Sequence, residues 1–238
     1  MTNFVEAWAA VDGIDGWMTE GQGRVLFDAA LRCPADGTIV EIGSFHGRST
    51  IVLALGAPPG ARIVAIDPHA GNDRGPQEIV GYGAAAADDH QRFLANLDRA
   101  RVRSRVRHVR AFSNEAHDAV EGPIDVLYID GAHRFAPARA DIRDWGAEVA
   151  DGGTLLIHDS FSSIGVTGAI LRELVWSRRF RYVGRSRSLT IYRADADPRA
   201  LPVVNALRQL AQLPWFVRNV VLKVLITAKV LRNAEWPY

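Results

Sequence analysis

The chain has 238 residues, of which 48% are hydrophobic and 23% charged, and its formal net charge is +1. That is enough apolar material for one good core, so one domain with terminal additions is expected. So even a charge balance does not call for nucleic acid as a partner, and the single cysteine, Cys33, rules out an internal disulfide and suits a reducing cytoplasm.

Residues 1–18 carry Glu6, Asp12 and Asp15 with no basic stretch ahead of an apolar run, so they do not read as a signal peptide. Residues 19–33 read as a helix with Thr19 as its N-cap and Pro34 past its end. Cys33 then sits at a helix end, and no motif frames it as a nucleophile. Residues 38–42 (TIVEI) form a short buried strand, Gly43–Gly47 a turn, Ser49–Leu55 a helix, and 62–66 (RIVAI) the next strand, which together make a βαβ unit. The Gly-, Ala- and Asp-rich stretch Gly71–Asp89 reads as a loop, with a composition that suits a lid. A helix at 90–100, a strand at 105–109, a short helix at 114–120, a strong strand at 124–129 and a helix at 134–149 follow. Then come a strand at 153–158, a helix at about 166–176, and strands at 179–184 and 188–193 joined by a turn as an antiparallel hairpin.

This alternation predicts an α/β, Rossmann-like doubly wound sheet, mostly parallel, with helices on both faces and a terminal antiparallel hairpin. Residues 1–195 are expected to form that domain, and 196–238 a C-terminal helical extension packed on the domain or on a dimer partner. No uncharged apolar stretch of 18 residues occurs, so no transmembrane segment is expected. The apolar segment Leu213–Leu231, interrupted by Arg218, Lys223 and Lys229, could be a dimer helix, a cap on the sheet or a membrane-surface helix. Docking on its own domain or on a second subunit is the preferred reading, and with it a homodimer.

The polar residues fall at strand ends, where open α/β sheets bind ligands. Strand one ends in Glu41-Ile-Gly43-Ser44-Phe45-His46-Gly47, the second in Asp67-Pro68-His69, the fourth in Asp130-Gly131-Ala132-His133, and the fifth in His158-Asp159-Ser160. The first turn reads ExGxxxG and lacks the GxGxxG spacing of dinucleotide sites. An acid at this strand end suits a cationic amino-acid ligand better than a pyrophosphate, and its glycines permit close approach. Asp67 suits a ribose diol, because a carboxylate can accept two hydroxyl hydrogen bonds. Together they favour a nucleoside with a positive amino-acid end and no phosphate, a description S-adenosylmethionine fits.

EIGSFHGRST, AIDP, AFSNE, LYIDGAHRFAPARADI and GGTLLIHDSF, in this order over about residues 20–193, resemble the class I S-adenosylmethionine-dependent methyltransferases. The resemblance is to the branch of metal-dependent sugar and macrolide O-methyltransferases. It implies that Glu41, Gly43 and Ser44 line the methionine end of the cofactor, with Ser49 or Thr50 near its carboxylate. It also implies that Asp67 holds the ribose, His69 lies beside ribose or adenine, Phe112 and Ser113 meet the adenine, and Asp130 borders the cofactor. Helix capping is an equal reading for Ser49 and Thr50.

Asp130 and Asp159 should end neighbouring strands and can share a hard divalent cation, Mg²⁺ first, with His158 as a further ligand. In the resembling enzymes the fifth strand carries an acid pair; His158 here replaces its first member and suits softer metals better. The alternative is a buried, hydrogen-bonded His158 with Asp159 as a helix cap. His133, three residues beyond Asp130, stands where the resembling enzymes place the base that deprotonates the acceptor hydroxyl. The other reading is that His133 only orients Asp130 or its loop. His46, His69, His90, His108 and His117 lack such a frame, and most of them are expected to be surface or structural.

The expected activity is therefore metal-assisted O-methylation of a small polar acceptor, a saccharide such as a mannoside or related oligosaccharide, by a cytoplasmic enzyme. The rival readings are a catechol or natural-product O-methyltransferase, a nicotinamide-dependent oxidoreductase, and a non-catalytic binding module.

Overall fold

A computed structural model describes residues 2–71, 87–195 and 202–230. The expected loop Gly71–Asp89 falls mostly on residues 72–86, outside the described residues. Chain order is α1 (Phe4–Ala9), α2 (Glu20–Leu31), β1 (Thr38–Ile42), α3 (Arg48–Gly56), β2 (Arg62–Ile66), α4 (Asp89–Arg99), β3 (Val106–Val109), β4 (Ile124–Ile129) and α5 (Phe135–Ala147). There follow β5 (Val149–Ile157), α6 (Ile164–Glu173), β6 (Phe180–Ser186), β7 (Leu189–Ala194), α7 (Pro202–Leu210) and α8 (Leu213–Thr227).

The seven strands form one sheet in the order β3-β2-β1-β4-β5-β7-β6. Pairs from β3 to β5 are parallel, whereas β7 pairs antiparallel with both β5 and β6. The expected Rossmann-like sheet with a terminal antiparallel hairpin is therefore present. The strand order reverses between β1 and β4, which puts the switch point at their carboxyl ends.

Strand β1 is buried along its whole length because both faces are covered. Alternate side chains serve opposite layers: Ile39 joins the core under α1–α4 with Phe27, Leu53 and Phe93, while Val40 joins the core under α5 and α6 with Trp145 and Phe161. Helix α2 starts at a capping box between Thr19 and Gln22, and the unforeseen α1 at one between Asn3 and Glu6. Cys33 is buried, and burial first, then Asp125 and Asp36, push its thiol up to about 12, so it is inert. The tail residues 202–227 make two helices separated by a turn at Ala211–Gln212. Among the described residues, Pro202–Thr227 is the stretch long and apolar enough by composition to cross a membrane, with an 18-residue window of mean hydropathy 1.2.

Candidate active site

Backbone hydrogen bonds continue the parallel ladder one residue past the strands. Asp67 N donates to Val109 O, Asp130 N to Ile42 O and His158 N to Ile129 O, at 3.1, 2.8 and 2.9 Å. Each rim residue is thereby fixed by the neighbouring strand. Beyond the rim lies a cavity of about 1220 Å³. Gly43, Ser44, Ser49, Asp67, His69, Phe112, Ser113, Asp130, His133, His158 and Asp159 all line it.

The β1 turn depends on Gly43. Its φ is +85°, and a Cβ there would stand 2.2 Å from the Asp130 carbonyl oxygen. Only glycine lets β1 and β4 approach this closely. Asp67 Oδ2 accepts the N–H groups of Ser44 and Phe45, both at 2.8 Å, and Oδ1 accepts that of His69 at 2.7 Å. The carboxylate stays 16% exposed and, with about four lone-pair sites, retains room for a ligand hydroxyl. Ser44 Oγ is buried at the cavity wall with no hydrogen-bond partner among the described residues, an acceptor and donor waiting for a polar ligand. Phe45, His69, Asp159 and Phe161 all have left-handed φ between 44° and 54°. Such strain gathers where a surrounding structure over-determines the backbone.

Glu41 departs from expectation. It is fully buried and is not a lining residue. Its two oxygens accept the hydroxyls of Ser49 and Thr50, which turn inward from the first turn of α3 and cap nothing. Burial, opposed by those hydroxyls and assisted by Asp130 and Asp67, pushes its carboxyl up to about 8. A cofactor would meet Ser49, with Glu41 behind it. Ser113 Oγ is likewise engaged, donating to Asp141 Oδ1 at 2.5 Å. His69 packs with Phe93 and His108 at ring distances of 5.2 and 5.0 Å, and burial above all keeps its imidazole neutral.

Across the cavity, His133 Nε2 lies 2.6 Å from Asp159 Oδ2. Tyr128 donates to Asp130 Oδ2 at 2.8 Å, and His158 Nδ1 lies 3.1 Å from Asp130 Oδ1 and 3.8 Å from Asp159 Oδ2. Burial disfavours the His158 cation, but the two carboxylates outweigh it and hold the imidazole up to about 10. Burial acts against ionised Asp159 too, yet His133 and His158 keep its carboxyl well below the usual range. His158 is thus buried with Nδ1 facing both carboxylates, and it stands outside the cluster whose donor atoms converge among the described residues. The donor atoms of Asp130, His133 and Asp159 lie within 4.8 Å of one another instead. Two carboxylates and one imidazole fit a divalent cation. Gly165 at the start of α6 helps place His133: a Cβ there would meet the His133 carbonyl oxygen at 2.2 Å.

Sequence reasoning missed several lining residues. Asp15 and Trp17 reach the cavity from the segment before α2. His46 is buried, with Nε2 3.0 Å from Asp89 Oδ1 and Nδ1 3.6 Å from Asp15 Oδ2. Lys223 on α8 lines it too, and its Nζ donates to Ser162 O at 3.1 Å. The Gly/Asp/Trp cluster DGIDGW was a signal for the first of these; nothing in the local pattern marked the others.

Residues 40–160 match the family described as Methyltransferase domain. Among solved structures, the chain is similar to cofactor-bound Rv0187 from MTB, at 18% identity over 80% of this chain and 87% of that one, with a TM-score of 0.57. It is also similar to the O-methyltransferase TomG from Streptomyces achromogenes, involved in tomaymycin synthesis and solved in complex with SAM: 18% identity, 81% and 89% covered, TM-score 0.52. A third is SAH-bound methyltransferase PaMTH1 from Podospora anserina: 17% identity, 81% and 87% covered, TM-score 0.56. At these identities the likeness establishes the fold.

Proposed function

The chain belongs to the methyltransferase-domain family, and on that premise we propose that it transfers a methyl group from S-adenosylmethionine to a hydroxyl of a small polar acceptor, a saccharide first. The observation that carries this reading is that Asp67 and His133, from different strand ends, line one cavity. The donor half is supported by the spare capacity of Asp67, the unpartnered Ser44 hydroxyl and the close turn at Gly43. The SAM and SAH bound in TomG and PaMTH1 support the same cofactor here.

A sugar hydroxyl is a poor nucleophile until its proton has somewhere to go. With Nε2 held 2.6 Å from Asp159 Oδ2, the His133 imidazole takes the acceptor proton as the new oxygen–carbon bond forms. The cofactor supplies a sulfonium leaving group, so the residues mainly align acceptor oxygen, methyl carbon and sulfur. Asp159 orients the imidazole and stabilises its cation, while buried His158 faces both Asp130 and Asp159.

A second reading is favoured by the convergence of Asp130, His133 and Asp159. These three would hold a divalent cation, Mg²⁺ or a softer metal, which would supply a Lewis acid for the acceptor oxygen. His133 would then be a ligand, and water or a neighbouring group the base.

Calorimetric titration with S-adenosylmethionine, with Mg²⁺ and after chelation, tests the proposal. Micromolar binding in both conditions, lost on Asp67→Ala, is expected, and an acceptor screen led by sugars follows. Absence of binding in both conditions overturns it.

A further inference from the structure

The α7–α8 pair is fastened to the domain through polar groups and left apolar on its outer side. Asn205 accepts the Tyr182 N–H at 2.8 Å and donates to Phe180 O at 3.0 Å. Gln209 donates to Leu174 O at 3.1 Å, and Asn219 to Phe161 O at 3.0 Å. These amides are buried. The outward positions are the reverse of a usual surface helix, which turns its polar face to water. Val217 and Val221 recur at four-residue spacing and are 59% and 50% exposed; Val203 and Leu207 on α7, spaced likewise, are 56% and 61% exposed. An exposed apolar stripe of this extent marks a surface that something covers.

Charge selects the occupant. Residues 202–230 contain Arg208, Arg218, Lys223 and Lys229 and no Asp or Glu. Arg208, Arg218 and Lys229 are exposed. A twofold dimer through this face would bring the same cations of two copies together. A bilayer with anionic headgroups satisfies both features at once, taking the apolar stripe into its boundary and the cations at its surface. The pair lies on such a surface rather than spanning it, because the turn at Ala211–Gln212 breaks the helix and the buried amides hold its inner side to the sheet.

We infer that the outer face of α7–α8 docks on an anionic lipid surface. The inference goes beyond methyl transfer and stands or falls separately from it. The test is sedimentation of the full chain with vesicles of phosphatidylcholine alone and of phosphatidylcholine mixed with phosphatidylglycerol. Wild type is expected to partition onto the mixed vesicles at least about tenfold more strongly than onto the neutral ones. The double variant V217D/V221D should lose at least about tenfold of that partition, with its circular dichroism and its affinity for S-adenosylmethionine unchanged. Equal partition onto both vesicle types, or none onto either, overturns the inference. So does a dimer in sedimentation equilibrium that V217D/V221D dissociates while vesicles go unbound, since a second copy then covers the face.

Discussion

His133 Nε2 stands 2.6 Å from Asp159 Oδ2, and the two residues reach the same cavity from the ends of adjacent strands, β4 and β5. Asp159 does for His133 what an unassisted imidazole cannot do for itself: it fixes the tautomer and the ring plane.

Replacing His133 by Ala is expected to lower single-turnover methyl transfer by about 10²–10⁴-fold, the usual worth of a positioned base. Affinity for S-adenosylmethionine should stay within about threefold by calorimetry, since the proposed reading puts His133 on the acceptor side. A matching loss of cofactor affinity would show that the residue holds the cofactor instead.

Asp67→Ala should do two things at once. It removes the proposed ribose contact, and it strands the N–H groups of Ser44, Phe45 and His69. Leaving buried donors unpaired costs about 1–3 kcal/mol each when water cannot replace the acceptor. Thermal unfolding of the ligand-free variant should therefore begin several degrees below wild type; an unchanged transition would mean that water takes over these donors.

Glu41 supplies a pH-dependent term. Its carboxyl titrates at about 8 in the folded protein against an ordinary 4.5. Between those values the folded state keeps a proton that the unfolded chain has released, so stability falls as pH rises through that window and levels off above it. Glu41→Gln should flatten the decline by roughly 1 kcal/mol per pH unit. Denaturant titrations at pH 5 and pH 8 measure it, and parallel curves for the two proteins would place the carboxyl near its ordinary value.

Gly43→Ala should destabilise the chain by about 3 kcal/mol or more and abolish cofactor binding, because the added methyl meets the Asp130 carbonyl oxygen. Soluble protein with wild-type melting and wild-type affinity would mean that β1 and β4 separate without cost.

Chelation distinguishes the two chemical readings. Where His133 acts as base, activity survives exhaustive chelation; where Asp130, His133 and Asp159 hold a cation, it falls by at least about tenfold and returns on adding Mg²⁺ or Mn²⁺.

The strands at 38–42, 62–66 and 124–129 were legible because unbroken β-branched runs between turn residues admit few other readings. Strand β5 begins earlier than its GTLLIH run indicates, since its pairing with β4 shifts register between Ile124 and Val126. Rim residues Asp67, Asp130 and His133 were legible from position at strand ends. Glu41 was not, because whether a strand-end acid faces the ligand depends on Ser49 and Thr50, whose hydroxyls reach back from the next helix. His46 was hidden for a related reason: its partners, Asp15 and Asp89, are distant in sequence and meet it only in the fold.

The cavity is walled on one side by Asp15–Met18 and on another by Val220, Lys223 and Val224, all outside the stretch that matches the family. On the proposed reading, the rim that serves methyl transfer and the walls that would frame the acceptor belong to separate pieces of chain. Descendants of such a gene could exchange the flanking pieces, and so change clientele, while the rim that moves the methyl group is inherited intact.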